Sequence, residues 1–301
     1  MPAPSGPRLS PRGAADVART VAAPPVASGR VRRVARRVDS ASLFVYTGLA
    51  VVYLLLPVFV IVLFSFNDPA GKSNFVWQGF TLEYWADPLG VPGLPQAVSL
   101  SLLIAFVSTI VATALGTLIG VALVRYEFRL RGATNALIFI PMATPEIVLG
   151  ASLLTMFVSI GGPPFFPLSA VTILIAHIMF NISFVVVTVR ARLEGFPRHL
   201  EEAAMDLGAN EWTTFWKVTF PLILPGIVAA GLLAFSLSID DFVITNFTAG
   251  KVQTFPMFIY AKYRIGIPVE VNVIGTLIFA IAVGTVGVTT LARIRADARA
   301  R

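Results

Sequence analysis

Six long apolar runs, at residues 43–66, 97–124, 136–158, 167–189, 221–239 and 271–292, limit what this chain can fold into. Each is close to the roughly 20 residues that a helix needs to cross the hydrocarbon core of a bilayer. Five of the runs hold no Asp, Glu, Lys or Arg, and the third holds Glu146 alone. Composition agrees: 56% of the 301 residues are hydrophobic and only 13% charged, against roughly 25% charged in an ordinary soluble domain. The expected fold class is an all-α integral membrane protein with six transmembrane helices.

The placement of basic residues orients those spans, because Lys and Arg are retained on the cytoplasmic side. Eight arginines precede the first span, and Arg125, Arg129 and Arg131 follow the second. Arg190, Arg192, Arg198 and Lys217 follow the fourth, and Arg293, Arg295, Arg299 and Arg301 follow the last. The opposite face keeps only Lys72, Lys251, Lys262 and Arg264 of the 23 basic residues. Both termini are therefore expected in the cytoplasm. The net charge of +7 could suggest nucleic-acid binding, but the positive charge sits in tails and short loops that flank apolar spans.

Three regions are expected: a basic, unstructured tail at 1–42, a six-span transmembrane domain at 43–292, and a short cytoplasmic tail at 293–301. Residues 1–29 are rich in Pro, Ala, Gly and Ser, a composition that cannot build a core. Within residues 30–38, Val31, Val34 and Val38 share a helical face opposite five arginines. That pattern suits either a helix lying on anionic lipid or a plain orientation signal. No cleavable signal peptide is expected, since the first apolar run starts near Leu43 and is long enough to span. The absence of Cys excludes disulfides and thiolate metal sites.

Residues 201–219, EEAAMDLGANEWTTFWKVT, stand out as a charged passage between two spans. Glu201 to Leu207 favours helix, Gly208 can supply a left-handed turn, and Asn210 can cap a second short helix. The result is a compact knob with Glu201, Glu202, Asp206 and Glu211 beside Phe215 and Trp216. On composition alone the favoured reading is an amphipathic connector resting on headgroups.

The run Glu202, Ala203, Ala204, three residues, Gly208, nine residues, then Val218, Thr219, Phe220, Pro221 resembles the EAA loop of ATP-binding cassette (ABC) importer permeases. Val218 and Phe220 stand where that pattern has isoleucine and leucine. The likeness extends over about residues 42–294 and is greatest to permease subunits of spermidine/putrescine importers, through the stretches FSFN at 64–67, WQGF at 77–80, TPEIVL at 144–149, FVVVTVR at 184–190, LSIDDF at 237–242 and EVN at 270–272. The resemblance implies the type I ABC importer permease architecture with a cytoplasmic coupling-helix loop at 201–221. Glu202, Ala203, Ala204, Asp206, Gly208 and Glu211 would face an ATPase subunit. It also implies a second permease subunit, two ATPase subunits, an extracytoplasmic substrate-binding protein and a bacterial inner-membrane location. The chain itself would bind no cofactor and catalyse no reaction, ATP and magnesium being used by the partner ATPase.

The residues also speak to substrate charge. Ionisable groups within a membrane are costly and usually face a pathway. Glu146 is such a group, preceded by Pro141 and Pro145, which weaken a helix and can leave carbonyls facing a cavity. Asp240 and Asp241 lie at the outer end of the fifth span, and no Lys or Arg falls within any span. This acid bias favours a cationic substrate. The alternatives are a hydrogen bond from Glu146 to His177 or Asn181, and a helix-capping role for the two aspartates. His177, alone among apolar residues, reads as a packing or hydrogen-bonding group rather than a metal ligand.

Trp77, Tyr84 and Trp85 follow the first span, and Tyr260 and Tyr263 precede the last. Their ring faces can attract ammonium groups at about 0.5 to 2 kcal/mol each, although Trp and Tyr also serve as interfacial anchors. The substrate-pathway candidates are thus Glu146, Asp240, Asp241, Tyr84 and Trp85. Other chemistry has little support: Gly71, Lys72 and Ser73 match the end of a phosphate-binding loop, but Phe66 occupies the place of its first glycine. Two His and no Cys leave little for a metal centre. Residues 116–120, GTLIG, can allow close helix contact. The competing readings are the same architecture moving an amino acid derivative, an organophosphonate or iron, and a stand-alone secondary transporter in which Glu146 carries a proton.

Overall fold

The computed structural model describes residues 29–71, 73–195 and 197–299. Its regular structure is helical, and among the described residues the sole β feature is an isolated antiparallel bridge between Asn67 and Phe80. In chain order the helices are α1 (Gly29–Phe64), α2 (Glu83–Ala86), α3 (Leu94–Arg125), α4 (Arg131–Ala143), α5 (Glu146–Ile160), α6 (Ala170–Glu194), α7 (His199–Asp206) and α8 (Glu211–Thr214). A π-helical turn (Phe215–Thr219) then leads into α9 (Phe220–Ile239), α10 (Val243–Thr248), α11 (Phe255–Tyr263) and α12 (Val269–Arg299).

Contacts divide the chain into two units, Met1–Val60 and Ile61–Arg301. In the first unit, α1 begins at Gly29, ahead of the boundary expected at residue 43. From Leu43 to Val60 its side chains are exposed apart from half-buried Ala50 and Val58, and an apolar surface all round suits lipid. Residues 1–28 of the expected tail lie outside the described residues, as do the side chains of the arginine-rich stretch and Lys72.

The second unit is organised around α3, α6 and α9. Val185, Val189 and Leu193 of α6 pack with Ile223, Ala230 and Ala234 of α9, and Val121 and Val124 of α3 close the cluster. The expected close approach within GTLIG occurs at Gly116: a Cβ there would lie 2.6 Å from Val185 Cγ1. Only glycine lets the two backbones come this near. A second cluster joins Leu153 and Phe157 of α5 to Ala176 and Phe180 of α6 and Ile244 of α10. A third joins Leu94 and Ala97 of α3 to Phe255 and Phe258 of α11 and Val271 and Ile274 of α12.

Among the described residues, four helical stretches are long and apolar enough to cross a membrane: Leu43–Phe64, Leu94–Arg125, Ala170–Glu194 and Glu211–Ile239. The third run, expected as one span at 136–158, is instead two helices bent by 111° at Thr144 and Pro145. The cause is local. Proline disfavours helical backbone in the residue before it, and Thr144 is extended at φ −81°, ψ 132°. Pro141, by contrast, is accommodated inside α4. The last run forms a shorter apolar helix, Val269–Thr285, within α12.

Candidate functional site

The loop at 201–219 folds into two short helices around Gly208, which adopts φ +89°. Asn210 caps the second, its Oδ1 accepting from the Thr213 amide at 2.8 Å. The two faces of α7 differ. Glu202, Ala203, Asp206 and Gly208 point outward with Glu211 of α8, Leu207 at the tip is 89% exposed and Trp212 71%, whereas Ala204 is half-buried. Glu201 turns the other way. Its Oε1 accepts from Arg125 Nη2 at the end of α3 and from Thr219 Oγ1 at the end of the π-helical turn, both at 2.6 Å. Arg198 Nη2 donates to the Val124 carbonyl at 2.9 Å, so the inner face of the loop grips the last turn of α3 twice. Trp212, Phe215, Trp216 and Phe220 form an aromatic chain with centroids 4.9–6.1 Å apart along the π-helical turn.

Glu146 stands at the break between α4 and α5, in the first turn of α5, where the helix dipole favours a negative charge. It is exposed, and its carboxylate has no hydrogen-bond partner among the described residues. The alternative pairing with His177 or Asn181 is not formed. Asn181 is fully buried in α6, and neither of its amide atoms has a hydrogen-bond partner among the described residues.

The two adjacent aspartates separate. Asp240 is exposed. Asp241 is turned inward: Oδ2 accepts from the Thr245 amide at 2.8 Å and the Thr245 hydroxyl at 2.7 Å, and Oδ1 accepts from the Ile244 amide at 3.4 Å. It caps α10, and its Oδ2 also lies 3.4 Å from His177 Nε2. The one hydrogen of Thr245 Oγ1 is spent on Asp241, so the 2.9 Å contact between His177 Nε2 and that oxygen places a hydrogen on Nε2. On its other side His177 Nδ1 is 2.6 Å from Ser238 Oγ, which is 3.0 Å from Ser108 Oγ. His177 is thus a hydrogen-bonding residue, joining α3, α6, α9 and α10 through buried polar groups.

The outer aromatic residues also divide. Trp85 is held structurally, donating Nε1–H to the Ser65 carbonyl at 3.1 Å and stacking on Phe66 at 5.1 Å. Beside it, buried Asn67 ties the stretches FSFN and WQGF together: Nδ2 donates to Asn74 Oδ1 and the Val76 carbonyl, and Oδ1 accepts from the Gln78 amide. Tyr84 lines a cavity of about 360 Å³ with Glu270, Lys262 and Pro268. Burial, then the carboxylates of Glu270, Asp68 and Glu83, push its phenol above the ordinary value, which keeps it protonated. Trp77 and Tyr263 remain exposed, and Tyr260 packs on Phe242 at 4.6 Å.

Sequence reasoning passed over Glu201, Arg125 and Thr219 as a connected group. The available signal was helical period: in α7, positions 201 and 204 share the half-buried side while 202, 203 and 206 share the exposed one.

Residues 112–298 match the family described as Binding-protein-dependent transport system inner membrane component. The chain is 37% identical over 231 residues to the spermidine/putrescine transport system permease protein PotC of Escherichia coli (strain K12), covering 76% of this chain and 85% of that one. It is 38% identical over 240 residues to the putrescine transport system permease protein PotI of the same strain, covering 78% and 84%. Among solved structures, a bacterial ABC transporter involved in the import of the acidic polysaccharide alginate aligns with TM-score 0.62 at 14% identity, covering 87% of this chain and 98% of that one. The MetNI methionine ABC transporter aligns with TM-score 0.51 at 19% identity, covering 69% and 95%. With 187 consecutive residues matched to one family and relatives above 35% identity over three quarters of its length, the chain belongs to the binding-protein-dependent transport system inner membrane components.

Proposed function

We propose that this chain is the permease subunit of an ATP-driven importer of polyamines of the spermidine/putrescine class. The observation that carries this reading is the identity of 37–38% to permeases named for those substrates, over three quarters of the chain. Fold similarity does not choose the substrate, since one structural neighbour belongs to an importer of an acidic polysaccharide. Charge supports the cationic choice: Glu146 and Asp240 are exposed carboxylates, and the apolar runs carry no Lys or Arg.

In this reading the chain crosses the inner membrane six times with both termini cytoplasmic, the bent pair α4–α5 and helix α12 supplying the two spans beyond the four long ones. A second permease subunit completes the pathway, a binding protein delivers substrate from outside, and two ATPase subunits hydrolyse ATP with magnesium. The loop 201–221 is the coupling element. Its outward face, with Glu202, Ala203, Asp206, Gly208 and Glu211 around exposed Leu207 and Trp212, has the apolar centre and polar rim of a docking surface. Glu146 and Asp240 meet substrate amines along the pathway, Asp241 holds the segment that follows Asp240, and Tyr84 and Trp85 form part of the outer mouth.

The test is uptake of labelled spermidine into proteoliposomes holding the complete assembly and its binding protein, with and without internal ATP. ATP-dependent uptake, lost in Glu146→Gln while basal ATP hydrolysis persists, is the expected result. An assembly that hydrolyses ATP but admits no spermidine would overturn the substrate assignment.

A further inference from the structure

Helix α7 carries the outward face of the coupling loop, yet none of its residues is buried. A helix without a buried apolar side is held to its neighbours only weakly by packing. Behind it lies a cavity of about 280 Å³, whose lining includes Val121, Arg125, Glu201, Met205, Glu211 and Phe215, so there is also space for the helix to yield. What spans that space is polar. Glu201 Oε1 takes one hydrogen bond from Arg125 of α3 and another from Thr219, the last residue before α9. The Arg125 and Glu201 side chains are only 14% and 15% exposed, so solvent screens the pair weakly. Arg198 adds a bond to the Val124 carbonyl, on the same final turn of α3.

The geometry points to Glu201 as the joint through which movement of the coupling loop reaches two spans together, α3 by Arg125 and α9 by Thr219. This rests on the proposed importer function and adds to it a positioning residue that is distinct from the outward-facing EAA positions. Without the joint, the Arg125 guanidinium and the Thr219 hydroxyl lose their shared acceptor, so a push on α7 is passed less directly to α3 and α9. Glu201 touches no substrate in this mechanism. Its effect is on the ratio of ATP spent to substrate moved.

The experiment uses the complete assembly in proteoliposomes and reads ATP hydrolysed per spermidine taken up, for wild type, Glu201→Gln, Arg125→Met and Arg125→Lys. Glu201→Gln and Arg125→Met are expected to raise that ratio about tenfold, the scale of one charge-assisted hydrogen bond. The ATPase subunits should still copurify, and Arg125→Lys should stay near wild type. An unchanged ratio in both uncharged variants overturns the proposal, and so does loss of the ATPase subunits, which would make the pair part of the docking surface. The chain has no native Cys, so spin labels at Leu207→Cys and Glu127→Cys, in an assembly whose partner subunits have had any cysteines replaced, give a second reading. A narrow distance distribution that broadens in Glu201→Gln supports the joint, and an unchanged one overturns it. This second reading needs no transport, so a wild-type assembly that fails to import spermidine sinks the substrate assignment and leaves the joint to be decided by the labels.

Discussion

Two pairs of neighbouring acids, Asp240–Asp241 at the end of α9 and Glu201–Glu202 in α7, are arranged alike and used differently. In each pair one carboxylate is exposed, Asp240 or Glu202, and the other turns inward to accept hydrogen bonds. The inward partners differ in reach. Three of the bonds to Asp241 come from residues three or four positions along the chain, at Ile244 and Thr245, so it mainly builds a local cap. Glu201 bonds to residues 76 and 18 positions away, so it ties together elements that could otherwise move apart. An inward acid with local partners supports the stability of its segment, whereas one with distant partners controls how segments move together.

That contrast can be broken most severely at Asp241. Asp241→Ala leaves the Thr245 hydroxyl and the amides of Ile244 and Thr245 without their acceptor at a largely buried site, at a cost of about 3 kcal/mol or more. The expected outcome is a clear fall in the thermal denaturation midpoint of the solubilised assembly, and an unmoved midpoint would deny the cap. Glu201→Ala should cost less, roughly 2 kcal/mol, because Arg125 borders an open cavity and can recover water there. The same denaturation assay should therefore rank it below Asp241→Ala while its coupling ratio is the more disturbed; the reverse ranking in both assays would erase the distinction.

Thr219→Val removes a single hydroxyl donor to Glu201 and should cost about 1 kcal/mol. Its ATP-per-substrate ratio should lie between wild type and Glu201→Gln; a ratio beyond that of Glu201→Gln would give Thr219 a role of its own. The outward members should matter least for stability. Asp240→Asn and Glu202→Gln are each expected within about 0.5 kcal/mol of wild type. They should separate in function, Asp240→Asn lowering spermidine uptake and Glu202→Gln lowering ATPase copurification. Identical behaviour would mean that the outward acids serve one purpose.

Much of this molecule was legible in its residues. The apolar runs gave the helical segments, because length and absence of charge are properties of a stretch of chain and need no partner. The turn at Gly208 and the cap at Asn210 were legible for the same reason, as was the close contact at Gly116. The third span was less so. Its apolar length suggested one helix, but the extended backbone that Pro145 imposes on Thr144 bends it by 111°. The candidate sites were read as residue types without direction: Trp85 was weighed as a pathway residue, and the structure engages its indole with Ser65 and Phe66.

What the sequence determined by itself was the solvent each segment requires, the side of the membrane expected for each loop, and the family. Those follow from local composition, charge placement and the order of motifs. Only the tertiary structure decided which of two adjacent acids faces inward. Side chains one position apart on a helix point about 100° apart, and the choice depends on donors such as Arg125 and His177 that lie more than sixty residues away in the chain.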